Sequence, residues 1–182
     1  MNKHILFIQG GGSDEDYETD AKLVESLQQI LGASYQIHYP FLATDSGPDF
    51  GRCKQISEAL AKIKDRIVVV GHSLGASMLL KYCSENETKD NLVGMFLIAT
   101  PFWQGEETWK QGLKLHESFE KSLPKTIPIF FYHSRDDQEV PFEHLSIYAQ
   151  KLPKAFIQEI TSGGHQLDND LSIVAKDIKS IF

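Results

Sequence analysis

The sequence predicts an α/β fold: a doubly wound, mainly parallel sheet with helices on both faces. Three observations predict it. Short apolar runs alternate with amphipathic ones about six times along the 182 residues. The middle apolar runs are nearly continuous in character, as strands covered on both faces are. The amphipathic runs place apolar residues three and four apart, the period of a helix with one buried face. Regular alternation of this kind builds a parallel sheet with right-handed crossovers.

Each element follows from local chemistry. Residues 4–8, 66–70, 92–98, 127–132 and 155–160, with a weaker run at 35–39, are β-branched or aromatic and bounded by Gly, Pro or polar residues, so they read as strands. Tyr17, Ala21, Val24, Leu27 and Leu31 form one helical stripe, and Cys53, Ile56, Leu60 and Ile63 a second. Phe142, Leu145, Ala149 and Leu152 form a third. Leu167, Leu171, Val174, Ile178 and Ile181 are expected to form the single stripe of a C-terminal helix. These stripes are core faces rather than ligand sites. Two connections are longer than joining requires: residues 40–51, and residues 100–112 with Phe102, Trp103 and Trp109. Both leave the C-terminal ends of strands, where open α/β sheets bind ligands. No repeat, low-complexity tract or linker stands out, so one domain over residues 1–182 is expected.

Composition narrows the function. At 41% hydrophobic and 24% charged, the chain has the balance of a soluble globular protein and not of a disordered one. A formal net charge of −7 argues against a nucleic-acid partner, which calls for a basic patch. Cys53 and Cys83 are too few for a disulfide framework or a cysteine-built zinc site, and both are expected as buried free thiols. The apolar run near the N-terminus is far shorter than a signal-peptide core. No stretch approaches the roughly 18 apolar residues of a membrane helix. A cytoplasmic protein with no membrane partner is the expectation.

The most informative segment is Gly71-His72-Ser73-Leu74-Gly75, a Gly-x-Ser-x-Gly pattern between a strand and a small-residue helix start. A serine hydroxyl is a weak nucleophile and has to be presented to a base. A sharp strand-to-helix turn presents it, in a strained backbone conformation that requires small neighbours. The Leu74 amide, with the helix N-terminus behind it, then points where an oxyanion would form. The spacing excludes a dinucleotide-binding loop, and no Gly-Lys-Ser/Thr follows to make a P-loop.

Such a serine needs a histidine, and the histidine needs a carboxylate to fix its tautomer. Seven histidines compete. His4 and His38 lie in strands before the serine, and His72 is inside the turn and cannot fold back onto its neighbour. His116 sits in a charged stretch, His133 ends the fifth strand, and His144 lies in an amphipathic helix. His165 follows the last strand after Gly163-Gly164, which permit a tight loop above the sheet, and it is the best placed. The acid should leave the fifth strand, where Asp136, Asp137 and Glu139 lie. Asp137 has the preferred offset before Val140-Pro141, and Asp136 is its close rival. Gln9-Gly10-Gly11-Gly12 after the first strand can bring backbone amides to a substrate oxygen.

In these residues, Gly71-His-Ser73-Leu-Gly75, Asp137 before Val140-Pro141, Gly164-His165 and the glycine loop, the sequence resembles the α/β-hydrolase superfamily. It is most like its small, lidless serine hydrolases of the retinoblastoma-binding-protein-9 type. The resemblance implies Ser73 as nucleophile, His165 as general base and then acid, and Asp137 as orienting carboxylate. It implies a six-stranded sheet ordered 2-1-3-4-5-6. It implies an oxyanion hole from Leu74 and from Gly11 or Gly12. Many members carry His-Gly where this chain has Gln9-Gly10, so the choice between those two amides stays open. Residues 100–112 are too few for a lipase lid, which implies an exposed pocket for a small acyl substrate, with Phe41, Phe102 and Trp103 as candidate walls. The implied enzyme is a serine hydrolase acting on a carboxylic ester, or on a thioester or amide, with no metal or cofactor. The alternative from another class is a binding or regulatory module on the same fold, with an unidentified protein partner.

Overall fold

The computed structural model describes residues 3–182. Its six strands are β1 (Lys3–Ile8), β2 (Tyr35–His38), β3 (Ile67–His72), β4 (Leu92–Ile98), β5 (Ile129–Ser134) and β6 (Phe156–Ile160). They form one sheet in the order β2-β1-β3-β4-β5-β6. Every neighbouring pair is parallel, as the α/β reading and the resemblance expected. Each expected strand is present. β3 and β5 run further than their apolar cores suggest and carry His72 and His133 into the interior.

Alternation along the strands sorts side chains into two layers. Ile5, Phe7, Val68, Val70, Phe96 and Ile98 pack with the apolar faces of α1 (Asp14–Leu31) and α6 (Ser172–Ile181). Leu6, Ile8, Val69 and Leu97 pack on the other side against α2 (Arg52–Ala61), α3 (Leu74–Glu85), α4 (Phe119–Ser122) and α5 (Glu143–Lys151). Helix α1 begins with a capping box. Ser13 Oγ accepts the Asp16 amide at 3.1 Å, and Asp16 Oδ2 accepts the Ser13 amide at 3.0 Å. Asp14, Glu15 and Asp16 also complement the positive end of the helix. Among the described residues, no helix is long and apolar enough to cross a membrane.

Two expectations are corrected. The C-terminal stripe is not one helix: Leu167, Asp168 and Asn169 take left-handed conformations with φ of 47°, 53° and 55°, and α6 begins only at Ser172. Local bonds replace the helical ones there. Asp170 Oδ1 accepts the Ser172 amide at 2.8 Å, and Ser26 Oγ accepts the Leu171 amide at 3.0 Å. Leu167 and Leu171 are buried all the same, so the spacing looked unbroken. The second correction concerns Cys53, which is half-buried in the first turn of α2, whereas Cys83 is buried. Burial pushes the Cys83 thiol up to about 12, consistent with an unreactive core residue.

The start of α3 presses on the end of β1. A Cβ at Gly75 would fall 2.3 Å from the Gln9 carbonyl oxygen and 2.4 Å from that of Ile8. Both obstacles are backbone, which cannot swing aside as a side chain can. Gly75→Ala is therefore expected to lose about 1–3 kcal/mol of stability. Urea unfolding would show this as a lower midpoint, and an unchanged midpoint would contradict this packing.

Candidate active site

The C-terminal ends of β1, β3, β5 and β6 converge on one region. β3 ends at His72, and Ser73 follows with φ 50° and ψ −122°, a positive φ that side chains other than glycine's rarely adopt. The Ser73 amide donates to the Ile98 carbonyl on β4 at 2.9 Å. Its own carbonyl accepts the amides of Ala76 at 3.0 Å and Ser77 at 3.2 Å, the opening bonds of α3. The residue is thus pinned on both sides of its strained backbone, with Leu74 as the first residue of the helix.

β5 delivers Asp136 and Asp137, and the structure separates their roles. Asp137 reaches the imidazole: His165 Nδ1 lies 2.9 Å from its Oδ2 and 3.1 Å from its Oδ1. Oδ1 also accepts the amides of Glu139 and Val140, each at 2.9 Å, and His133 Nε2 lies 3.1 Å from Oδ2. Burial alone would raise this carboxyl. The bonds from His133, His165 and the two amides outweigh it and hold the group well below the usual carboxylate range. Asp136 turns to the backbone instead. Its carboxylate accepts the Ser134 hydroxyl at 2.5 Å and the amides of Gly164 at 2.8 Å and Gly163 at 3.3 Å. It thereby holds the turn before His165, in which Gly164 takes φ 61°.

An ionised Asp137 makes Nδ1 the protonated nitrogen of His165 and leaves Nε2 as an acceptor. Nε2 lies 3.6 Å from the exposed Glu139 carboxylate. Ser73 Oγ makes no hydrogen bond to His165 among the described residues. The two residues are linked through His72, next to Ser73, whose ring centroid lies 4.6 Å from that of His165.

The glycine loop between β1 and α1 is pinned by its own Gln9 and by Asp20 and Arg52, which the sequence did not single out. The Gly10 amide donates to Asp20 Oδ2 at 2.8 Å, which leaves Gly11 and Gly12 as the candidate donors. The Gly11 carbonyl accepts Gln9 Nε2 at 3.0 Å and Arg52 at 2.5 Å, while Gln9 Oε1 accepts the Leu42 amide at 3.0 Å. Arg52 is fully buried, and burial pulls its pKa down to about 10 against the attraction of Asp16 and Asp49. Its Nε and one terminal nitrogen have no partner among the described residues.

The aromatic candidates separate into two groups. Trp103 donates from Nε1 to Ser77 Oγ at 2.9 Å, one helical turn after Ser73, and meets Trp109 edge-on at 5.7 Å. Phe102 packs edge-on against Tyr148, and its amide donates to His144 Nδ1 at 3.1 Å. Phe41 is 44% exposed and lies edge-on to Tyr17, at the start of α1. A separate apolar cleft, with Leu123, Ile127 and Leu152 among its walls, lies toward the N-terminal ends of β5 and β6, away from His165. Among the described residues, no group of three or more His, Cys, Asp or Glu could hold a metal ion.

The profile of the serine hydrolase family matches residues 51–171, a span that includes Ser73, Asp137 and His165. The chain belongs to the serine hydrolase family. The chain is 27% identical over 113 residues to YdeN of Bacillus subtilis (strain 168), a protein named as a hydrolase. The match spans 59% of this chain and 57% of YdeN, so it covers less than two thirds of that relative. The structure resembles SOBER1 of Arabidopsis thaliana at 15% identity, covering 99% of each chain with a TM-score of 0.70. It also resembles mouse α/β-hydrolase domain-containing protein 10 at 16% identity, covering 98% of this chain and 87% of that one with a TM-score of 0.62. At these identities the likeness concerns the fold, and that fold is the α/β-hydrolase fold.

The low pKa of Asp137 sets the sign of an acid dependence. A carboxyl depressed by folding adds stability that is full above its unfolded value, about 3.9. That contribution is lost as pH falls toward the folded value. Asp137→Asn is therefore expected to show a smaller loss of stability between neutral and acid pH than the wild type. Urea midpoints across that range read the difference, and parallel curves would contradict it.

Proposed function

We propose that this serine hydrolase cleaves a small carboxylic ester through an acyl-enzyme on Ser73. The observation that carries the reading is the buried Asp137–His165 pair standing beside the positive-φ turn that presents Ser73. Asp137 holds His165 with Nδ1 protonated and Nε2 free to accept a proton. As Ser73 Oγ attacks the acyl carbon, its proton passes to His165 Nε2, and the carbonyl electrons move onto oxygen. The oxyanion sits on the Leu74 amide and on Gly11 or Gly12, each donor lowering the barrier by roughly 3 kcal/mol. The C–O bond to the alcohol then breaks, and the alcohol leaves with the proton from His165. Water, deprotonated by the same nitrogen, releases the acid and restores Ser73.

The substrate reading rests on the connection after β4. Trp103, tied to Ser77 on α3, and Phe102 are candidate walls for a short acyl chain, and Phe41 is a candidate on the glycine-loop side. A thioester or an amide is attacked by the same steps. Amides demand more, because the leaving nitrogen must be protonated.

A fluorophosphonate probe tests the mechanism. The wild type is expected to carry one adduct, located on Ser73 by mass spectrometry. Ser73→Ala should carry none, and His165→Ala should label far more slowly. Asp137→Asn should lower kcat on short esters by about 10⁴-fold, the scale for an orienting carboxylate. A folded wild type that takes no label would contradict the mechanism and favour a binding module on this fold.

A further inference from the structure

A second acid–imidazole pair lies beneath the first, formed by two residues that the mechanism above does not use. Asp20 on α1 and His72 at the end of β3 are both buried, with side chains only 3% and 2% exposed. His72 Nδ1 lies 2.8 Å from Asp20 Oδ1 and 3.0 Å from Oδ2. Its Nε2 lies 3.0 Å from the carbonyl oxygen of His165. The Asp20 carboxylate also accepts the Gly10 amide at 2.8 Å and the Gln166 side-chain amide at 3.1 Å.

Both ring nitrogens of His72 therefore face oxygen acceptors. A carbonyl oxygen has no hydrogen to give, and a carboxylate that already accepts two amides has none either. A neutral imidazole would leave one nitrogen lone pair against an oxygen, buried and unsatisfied. An imidazolium satisfies both contacts, and the adjacent carboxylate neutralises its charge. We propose that His72 is a buried imidazolium and that its ion pair with Asp20 positions the two loops flanking Ser73. One end holds the glycine loop at Gly10, and the other holds the backbone of His165. The positioning role rests on the reading of Ser73 as nucleophile; the charge state does not.

The titratable groups facing His72 agree with this assignment. They are Asp20 from α1, Asp137 from the loop after β5 and His165 from the loop after β6. Burial favours the neutral ring, but the charge and hydrogen bond of Asp20, the His165 carbonyl and the charge of Asp137 together raise the His72 pKa. His72 in turn holds the Asp20 carboxyl below its ordinary value against burial.

Two experiments separate the parts of the proposal. The first is nitrogen-15 NMR of histidine side chains in the wild type, with His72 assigned from its loss in His72→Gln. Both ring nitrogens are expected to be protonated at neutral pH, where an ordinary histidine is largely neutral. An unprotonated nitrogen at neutral pH would overturn the imidazolium, whatever Ser73 does.

The second is kinetics of Asp20→Asn with its folding checked by circular dichroism. We expect kcat and the fluorophosphonate labelling rate to fall roughly 10- to 100-fold, as for displaced reacting groups. KM should change little, and a titrating His72 should appear in the NMR spectrum. Should Asp20→Asn not fold, His72→Gln, uncharged and of similar reach, carries the same kinetic expectation. Wild-type kinetics in a folded variant would overturn the positioning role. A wild type that takes no label would sink the mechanism on Ser73 instead, with the NMR result on His72 still standing.

Discussion

The C-terminal end of this sheet is organised by one backbone constraint, the reversal of chain direction at Ser73. A positive φ at a residue with a side chain costs of order 1–3 kcal/mol and persists only where its surroundings over-determine it. Here they do. β3 is buried along its whole length, the Ser73 amide is held by β4, and its carbonyl opens α3. Gly75 lets the new helix settle on the carbonyls that end β1. The same reversal leaves His72 buried and starts α3 at Leu74. Bringing α3 against β1 also brings the glycine loop alongside: a Cβ on Gly10 would lie 3.2 Å from that of Ser73.

Around that turn, carboxylates do the tying. Asp137 takes the His165 ring, while Asp136, its neighbour in sequence, takes the amides of the turn that carries it. Asp20 takes the Gly10 amide and the His72 ring. The His165 segment is therefore held at its side chain and its preceding amides by the loop after β5, and at its own carbonyl by His72 at the end of β3. Arg52 and Gln9 perform the corresponding task on the Gly11 carbonyl. Loops built from glycine have little shape of their own, so their precision must come from such external bonds.

The fold was legible because it depends on patterns with a short period. Apolar runs and stripes three and four apart survive in a single sequence, and so did the Gly-x-Ser-x-Gly turn, whose requirements span five adjacent residues. Asp136 and Asp137 could not be separated in the same way. They share one loop, and only the third dimension shows which reaches a ring 28 residues away. Asp20 and His72 lie 52 residues apart, and an aspartate on an amphipathic helix reads as a solvent-facing residue until its neighbours are known. His133 and Arg52 were hidden for the same reason. The break after β6 escaped because Leu167 and Leu171 keep a helical spacing while being buried by other means.

The central claim is that Ser73, His165 and Asp137 act as one unit, and a kinetic cycle tests it most directly. The quantity is kcat/KM on a short p-nitrophenyl ester for the wild type, Ser73→Ala, Asp137→Asn and the double variant. Residues that act as a unit are non-additive, because once the nucleophile is gone the His165 ring that Asp137 orients has no serine proton to accept. The account predicts a double variant no slower than Ser73→Ala alone. Losses that multiply, or a Ser73→Ala protein with wild-type activity, would contradict it.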